Sequence, residues 1–227
     1  PARGACWLRR PHIGYREALM AWRMLAPVAW LAGSAAILTG GAALVCAGGP
    51  CRVPWIDAAG LALLNAWRTG GLDICFTTIT WIGSLWVLLP LAVLMAWRES
   101  GRSSLPASIF VPLSLLFATG LAHIAKIIVE RPRPDLFPAT VSLPADWSFP
   151  SAHAMQVTAF FLAMVLQPKT RCLLAKVVGA ALIVLLVGVS RVYLQVHFPT
   201  DVIFGIVAAV GCVLVVRKLI FEQRSLQ

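Results

Sequence analysis

Residues 25–47 read LAPVAWLAGSAAILTGGAALVCA, a run of 23 residues that contains no charged side chain. A helix that crosses the hydrocarbon core of a membrane needs about 20 mainly apolar residues. Two other runs, Ile74–Trp97 and Leu105–Val129, meet the same requirement, and Lys126 is the only Lys, Arg, Asp or Glu in either of them. The sequence therefore predicts three transmembrane helices in this part of the chain.

Three further apolar segments follow, each of them shorter or bordered by a charge: Ala152–Gln167, Cys172–Ser190 and Val202–Val216. We count them as spans, which predicts an all-α integral membrane protein with six transmembrane helices in residues 25–217. Residues 1–24 would form a cytoplasmic or interfacial segment, and residues 218–227 a cytoplasmic tail. The first span is longer than the core of a secretory signal, about 7–15 residues, so we expect a retained anchor.

The overall composition supports a membrane protein and excludes several other classes. Hydrophobic residues make up 59% of the 227 residues, charged residues only 12%, and the mean hydropathy is +0.84. A soluble domain is about half apolar and a quarter charged, so this chain has too few charges to cover a globule. Disordered proteins, collagen-like fibres and secreted disulfide scaffolds are excluded on the same ground.

The net charge of +10 is concentrated on one side of the predicted membrane. Thirteen of the 19 Lys and Arg residues lie in four short segments: residues 3–23, 98–102, 169–176 and 217–224. An excess of positive charge marks cytoplasmic segments, so both termini are expected in the cytoplasm. The other side then holds residues 48–73, 130–151 and 191–201. This distribution is typical of a membrane protein and argues against a nucleic-acid-binding face.

The predicted outer side contains two local features. Ile56–Trp67 is apolar enough to form a short helix lying in the interface. Cys46, Cys51 and Cys75 could lie near the same membrane face, so a disulfide there and unpaired small residues are both open. No Cys-x-x-Cys pair and no nearby His at zinc spacing accompanies them.

Ionisable side chains are costly at membrane depth and usually mark function where they occur. Three such clusters fall on the predicted outer side. The first contains Lys126, Arg131 and Arg133, where two Arg-Pro pairs force an extended exit from the third span. Lys126 alone would fit a lysine that reaches water from a helix end. For Arg131 we expect only a contact with Glu130 or with lipid phosphate.

The second and third clusters each contain a histidine. Ser148–His153 opens the fourth span with Ser and Pro, which are common at helix starts, and points free backbone N–H groups at the outer face. The third cluster, Ser190–Asp201, begins with Ser190 and Arg191. Its His197 just precedes the sixth span, and Asp201 lies about one turn further on. A carboxylate bonded to one ring nitrogen leaves the other nitrogen free to attack. Taken singly, each cluster also fits a structural role as a helix cap or a buried ion pair.

Together, the clusters place two His, one Asp and several cations on one membrane face. Lys126, Arg133 and Arg191 supply three positive charges, which Asp201 offsets by one, and the remainder suits a phosphate group. The sequence contains no cluster of Asp and Glu and no trio of His that would predict a metal site. We therefore expect chemistry without a metal or another cofactor.

The spacing of these residues resembles the three-part signature of the type 2 phosphatidic acid phosphatase superfamily. The parts are Lys126 with six residues before Arg133-Pro134, then Pro150-Ser151-Ala152-His153, then Ser190-Arg191 followed by His197 and Asp201. They occur in the family's order, and the resemblance covers about residues 25–217 with its six-span plan. One position departs from the family, because Ala152 stands where Gly is usual and its methyl group could narrow the pocket.

The resemblance implies an enzyme that hydrolyses a lipid phosphate through a phosphohistidine. His197 would attack phosphorus, Asp201 would orient His197, and His153 would exchange protons with the leaving group and with water. The phosphoryl oxygens would be held by Lys126, Arg133, Ser151, Arg191 and the backbone N–H near Ala152.

The implied substrates are undecaprenyl diphosphate, phosphatidic acid, phosphatidylglycerol phosphate and lipid A phosphates. The protein would then act on the bilayer of a bacterial inner membrane, with the site facing the periplasm. A phosphotransferase that uses the same intermediate is the nearest alternative. A transporter or lipid-binding scaffold with an inactive pocket is a second one, whereas the predicted spans disfavour a vanadate-dependent haloperoxidase.

Overall fold

The chain folds into helices alone across the residues that the structure describes. The computed structural model describes residues 13–46, 51–101, 104–167 and 172–222. The helices are α1 Ile13–Cys46, α2 Trp55–Ala66, α3 Gly70–Ile79, α4 Leu85–Ser100, α5 Leu105–Val129, α6 Ala152–Val165, α7 Leu173–Tyr193 and α8 Pro199–Arg217. A 3₁₀ turn, Thr80–Gly83, joins α3 to α4, and a π-helical turn, Lys218–Glu222, follows α8. The prediction of an all-α protein is confirmed.

The predicted terminal segments lie partly outside the described residues. This applies to residues 1–24 and 218–227, and to parts of the basic loops at 98–104 and 167–171. Because α1 begins at Ile13, the boundary predicted at Leu25 falls inside a helix rather than at its start.

Within the part of the chain that the structure describes, four helices are long and apolar enough to cross a membrane: Leu25–Cys46 within α1, α5, α7, and α8 with its extension to Phe221. The predicted second span is not one straight helix, because its two halves meet at an angle of 43° at the 3₁₀ turn. Counted as one broken span, α3 and α4 make a fifth. The apolar helix α6 has only 14 residues, so the predicted fourth span, and with it the total of six, stays a prediction.

The break between α3 and α4 interrupts an uncharged apolar run that reads like a single helix. Ser84 is extended, with φ −75° and ψ 137°, and its side chain accepts a hydrogen bond from the N–H of Trp86, as a residue that begins a helix does. Gly83 lies so close to α7 that an added Cβ would be 2.5 Å from Cγ1 of Val187. The same Cβ would lie 3.4 Å from Cβ of His153, so the bend is packed against the start of α6.

The short helix α6 occupies the centre of the bundle, where it packs on α5, α7 and α8. Nine of its 14 residues are buried, including Met155 and Phe160. α7 lies at the rim of the bundle, since only 17% of the residues in its most apolar stretch are buried, compared with 56% for α5. The outer surface of α7 therefore suits contact with lipid, whereas α6 is covered by protein and needs little lipid-facing length.

Helices α1 and α8 run antiparallel in close contact. Gly41 abuts Phe204, and Oγ of Ser34 donates to the carbonyl oxygen of Ala208 at 3.2 Å. Small residues at such a seam let two helix backbones approach closely. This register places Cys46, the last residue of α1, level with the start of α8.

A disulfide joins Cys46 to Cys51 at this end of the bundle. The N–H of Arg52 also donates to the carbonyl oxygen of Val45 at 2.7 Å, so the chain turns back directly after α1. Cys75, the third cysteine considered for a bridge, is free and exposed on α3.

Replacing Gly41 with Ala should destabilise the bundle. The new Cβ would lie 2.8 Å from the ring of Phe204 and 2.9 Å from that of Phe149, and overpacking of this kind costs about 1–3 kcal/mol. Gly40→Ala is the matched control, because nothing lies within 4 Å of its added Cβ. Ala in a helix is itself favoured over Gly by roughly 0.5–1 kcal/mol. Thermal unfolding in detergent measures both variants, and equal melting temperatures would contradict the packing described.

Candidate active site

The predicted site residues come together at the end of the bundle that carries the disulfide. They come from the last turn of α5 (Lys126), the segment after it (Arg133), the start of α6 (Ser151, Ala152, His153), the last turn of α7 (Arg191), and the loop and first turn of α8 (His197, Asp201). The start of α6 is tied directly to α8, because the N–H of Ser151 donates to the carbonyl oxygen of Asp201 at 3.1 Å. Residues separated widely in the sequence thus share one place in the fold.

A tight turn after α7 directs His197 back toward the helix ends. Gln195 adopts a left-handed conformation with φ 60°, and the N–H groups of Val196 and His197 both donate to the carbonyl oxygen of Arg191, at 3.2 and 3.3 Å. The buried Gln195 side chain donates to the carbonyl oxygen of Leu61 at 3.2 Å. Helix α2 therefore supports the loop that carries His197.

The two ring nitrogens of His197 face different groups. Nδ1 lies 3.4 Å from Oδ2 of Asp201 and the same distance from Oγ of Ser148. That carboxylate oxygen also accepts from Ser148 and from the N–H of Phe198, which hold it in place at the start of α8. Nε2 lies 3.4 Å from Nη1 of Arg133. A hydrogen on Nδ1, beside Asp201, leaves the Nε2 lone pair on the cationic side of the site.

Asp146, which sequence analysis did not identify, joins two of the predicted phosphate-binding cations. Its carboxylate lies 3.0 Å from Nζ of Lys126 and pairs with Nη2 of Arg133. Lys126 also donates to the carbonyl oxygen of Trp147, and Arg133 to that of Val196 at 2.7 Å. Burial acts to raise the pKa of Asp146, but the hydrogen bonds and charges of Lys126 and Arg133 outweigh it and lower the pKa to about 2.

The guanidinium of Arg191 is buried at the end of α7. Nη1 donates to Oγ1 of Thr80 at 2.7 Å, on the 3₁₀ turn between α3 and α4. Nε has no hydrogen-bond partner among the described residues. The bend in the predicted second span therefore contributes to the site, because the hydroxyl group of Thr80 orients Arg191.

The start of α6 presents further unpaired donors. The first helical bond runs from the N–H of Met155 to the carbonyl oxygen of Ser151 at 3.1 Å, so the N–H groups of Ala152 and His153 have no partner within the helix. Oγ of Ser151 is buried and has no partner in the described part of the chain. Free N–H groups at a helix start bind anions, so these donors and the nearby cations suit a phosphate.

Arg131 is buried inside the bundle, and the expected contact with Glu130 or with lipid phosphate is wrong. Its Nη1 donates to Oδ1 of Asp201 at 2.5 Å, and its Nη2 pairs with Oδ2 of Asp57 at 2.7 Å. Thr200 completes the cluster, because its Oγ1 accepts from Arg131 at 2.9 Å and donates to Asp57 at 2.7 Å. Arg131 therefore holds the protein together rather than facing the membrane.

Three residues that complete the site carried little signal in the sequence. Asp57 is the only charged residue in the apolar stretch Ile56–Trp67, and this isolation is the signal that could have identified it. Thr80 lies within a long apolar run, and Asp146 shares its loop with Asp135, so neither of them stands out.

The His197 ring is held in its neutral form. Burial lowers the pKa of His197 well below its usual value of 6.5, and the charges of Arg191, Arg133 and Lys126 act in the same direction. A neutral imidazole beside three cations can attack an anion that those cations bind. The geometry is thus suited to the transfer of a phosphoryl group.

The sequence and the fold are similar to those of membrane phosphatases. Residues 107–225 match the PAP2 superfamily, and this range includes every predicted site residue. Phosphatidylglycerophosphatase B of Bacillus subtilis is 33% identical over 163 residues, which cover 66% of this chain and 74% of that protein. Decaprenylphosphoryl-5-phosphoribose phosphatase of Mycobacterium tuberculosis is 33% identical over 135 residues, or 56% of this chain and 68% of that protein.

A solved structure shares the arrangement of helices. It is the crystal structure of a transmembrane PAP2-type phosphatidylglycerolphosphate phosphatase from Bacillus subtilis, with a TM-score of 0.69 and 26% sequence identity. The match covers 88% of this chain and 97% of the other. The shared fold therefore includes helices that precede residue 107.

The neutral state of His197 makes stability depend on pH with a definite sign. Below roughly pH 6.5 the unfolded chain takes up a proton at this residue that the folded protein does not, so stability falls as the pH is lowered. The depressed pKa of Asp146 makes stability depend on pH only near and below the usual carboxyl value of 3.8. Its contribution to the free energy of unfolding is therefore constant between about pH 5 and 7.5. Over that window, the melting temperature of the wild-type protein should fall more than that of His197→Asn, which cannot titrate. Parallel curves would contradict a neutral His197.

Proposed function

The chain belongs to the PAP2 superfamily, and from this we propose that it is a membrane phosphatase that removes phosphate from a lipid through a phosphohistidine, without a metal ion. The observation that carries the proposal is the buried His197, whose Nδ1 faces Asp201 while its Nε2 faces Arg133. The relatives described above are phosphatases by name, and all eight predicted site residues lie within the matched range.

In the first step, the lipid phosphate binds where the cations and the unpaired donors meet. Lys126, Arg133 and Arg191 bring three positive charges, and Asp146 offsets one of them. The remaining charge matches a phosphomonoester, which carries about 1.5–2 negative charges near pH 7. Nε of Arg191 and Oγ of Ser151 are buried donors that such an anion would satisfy.

Ala152 takes part in binding through its backbone only. Its side chain packs against the main hydrophobic core, and its N–H is one of the free donors at the start of α6. The departure from the family's usual Gly therefore leaves the proposed phosphate contact in place.

Nε2 of His197 then attacks phosphorus, so that a P–N bond forms and the P–O bond to the lipid breaks. The negative charge of the bound phosphate favours the protonated form of His153, which donates a proton to the departing oxygen. The imidazole becomes a cation when it carries the phosphoryl group, and the carboxylate of Asp201 next to Nδ1 stabilises that charge. The three cations stabilise the negative charge that develops on the transferred group, which is usually the largest contribution to catalysis.

In the second step, His153 has lost its proton and can take another from a water molecule. The water oxygen attacks phosphorus, the P–N bond breaks, and inorganic phosphate leaves while His197 returns to its neutral form. His153 is half-buried and His197 is fully buried, so water has better access to His153.

The substrate we propose is a lipid with a phosphate or diphosphate head group, because two exposed Trp residues flank the site. Trp81 follows Thr80 on the 3₁₀ turn, and the carbonyl oxygen of Trp147 accepts from Lys126. Exposed Trp side chains are enriched at the interface between membrane and water, which is the depth of a lipid head group. Glycerolipid phosphates, prenyl diphosphates and lipid A phosphates all present phosphorus at this depth.

The orientation we propose has six spans in residues 25–217, with α6 as the fourth of them along the chain, and the site on the extracytoplasmic side of a bacterial inner membrane. Two independent features support it. Arg98, at the end of α4, and Lys176, at the start of α7, lie on helices whose opposite ends reach the site, which agrees with basic cytoplasmic segments. The Cys46–Cys51 disulfide lies at the end that carries the site, and disulfides persist in oxidising compartments.

The purified protein should release inorganic phosphate from a lipid phosphate with a metal chelator present. A panel of phosphatidylglycerol phosphate, phosphatidic acid and a prenyl diphosphate in detergent micelles identifies the preferred head group. His197→Asn should reduce release by about 10³-fold or more, because the nucleophile is lost. His123→Asn is the matched control, since His123 is exposed on α5 and has no part in the proposed mechanism.

Activity retained by His197→Asn, or a strict need for a divalent metal, would contradict this mechanism. Transfer of phosphate to a second lipid without release would instead identify a phosphotransferase. A wild-type protein inactive on the whole panel would contradict the proposed function itself.

Cysteine labelling tests the proposed orientation. Both reporter proteins carry Cys6→Ser and Cys75→Ser; one keeps Cys172, which is exposed at the start of α7, and the other carries Cys172→Ser with Asp135→Cys in the exposed segment after α5. A membrane-impermeant maleimide added to spheroplasts should label position 135 and spare Cys172, and detergent should make both reactive. Cys212 is buried and serves as the unreactive background. Labelling of Cys172 in intact spheroplasts would reverse the orientation.

A further inference from the structure

Asp57, on the short helix α2, is a buried acid that the proposed mechanism does not use. Its Oδ1 accepts from the N–H of Thr200 at 2.9 Å. Its Oδ2 accepts from Oγ1 of Thr200 and from Nη2 of Arg131, both at 2.7 Å. Asp57 precedes residues 107–225, so the match to the family assigns it no role.

Asp57 reaches His197 through two further contacts. Nη1 of Arg131 donates to Oδ1 of Asp201 at 2.5 Å, and Oδ2 of Asp201 lies 3.4 Å from Nδ1 of His197. All four side chains are buried. They form a continuous line, Asp57–Arg131–Asp201–His197, in which the first three groups carry alternating charges and His197 is neutral before it bonds phosphorus.

The net charge of this line determines what Asp201 can do for His197. If Arg131 were paired with Asp201 alone, a neutral ion pair would lie beside the imidazole. With Asp57 on the other edge of the guanidinium, the three charged groups sum to −1. This charge offsets the positive charge that His197 acquires when it bonds phosphorus, and charges interact far more strongly in a buried site than in water.

Asp57 also restrains the geometry at the start of α8. Through Thr200 it holds the residue that precedes Asp201. The guanidinium of Arg131 lies 3.9 Å from the ring centroid of Phe198, whose N–H donates to Oδ2 of Asp201 at 3.0 Å. Since Arg131 occupies Oδ1, the second oxygen of Asp201 is the one directed at the histidine.

We propose that Asp57 is a positioning residue that acts through Arg131 to keep this line at a net charge of −1 and Asp201 directed at His197 during phosphoryl transfer. This inference rests on the proposed function, because it requires His197 to become a cation during turnover. Asp57 touches none of the predicted phosphate-binding side chains in the described structure. Loss of its charge should therefore slow the chemical step without weakening phosphate binding.

The direct test is Asp57→Asn, which keeps the size of the side chain and an acceptor for Thr200 but removes the charge. The kcat for phosphate release should fall by about 10- to 100-fold, by analogy with the loss seen when a group that orients a metal-bound histidine is removed. KM for the lipid phosphate and the inhibition constant for inorganic phosphate should stay within about threefold of the wild-type values, since uniform binding is untouched. The melting temperature reports whether the variant is folded.

A charge-rescue variant separates this role from a purely structural one. Asp57→Asn combined with Arg131→Gln returns the line to a net charge of −1, so kcat should recover by about tenfold relative to Asp57→Asn alone, a coupling expected only of groups that act together. A residue needed only for folding would make the double variant slower than the single one. Thr200→Val is the matched control, because it removes side-chain hydrogen bonds to Asp57 and Arg131 without changing any charge.

Wild-type kcat in Asp57→Asn, or a double variant slower than the single one, would overturn this inference and leave the proposed function intact. If Asp57→Asn cannot be obtained folded, the double variant is compared with the wild-type protein, and turnover as low as that of His197→Asn overturns the inference. A wild-type protein that releases no phosphate from any lipid overturns the proposed function instead.

Discussion

The charge of a guanidinium buried in a membrane protein must be balanced by groups of the protein itself, because an unpaired buried ion is strongly destabilising. Arg131 meets this requirement with carboxylates from two elements far apart in the chain, Asp57 on α2 and Asp201 on α8. The turn that carries His197 rests on the same helix α2 through Gln195. The position of His197 relative to the helix ends therefore depends on the ion pairs of Arg131 with these two carboxylates.

The cations on the other side of His197 are paired in a different way from Arg131. Lys126 and Arg133 share the carboxylate of Asp146, whose side chain is 42% exposed, whereas both partners of Arg131 are fully buried. A partner at the solvent edge is held less firmly than one enclosed by protein, since exposed ion pairs contribute little stability. Two arginines separated by a single proline thus have different tasks, one in the framework and one at the proposed phosphate site.

Local sequence signals predicted the helices well, because the length of an apolar run and the ends of a helix both depend on residues that are adjacent in the sequence. Leu105–Val129 was predicted to the residue, and His197 was correctly expected just ahead of a helix. The bend at Thr80 was missed, because a uniformly apolar run carries no sign of the contacts that break it.

The contacts that complete the site depend on pairing between distant elements, and the sequence alone does not contain that information. Asp57 and Arg131 lie 74 residues apart, and Arg131 resembles Arg133 in every local respect, including the proline that follows each. The pairing of α1 with α8 is more distant still, since Ser34 and Ala208 lie 174 residues apart. Chains are made from the amino terminus, so α1 leaves the ribosome long before its main partner has been translated. Until α8 has been translated, the small-residue face of α1 lacks this partner, so the bundle can close only after that point, and the same event brings Asp201 to the site.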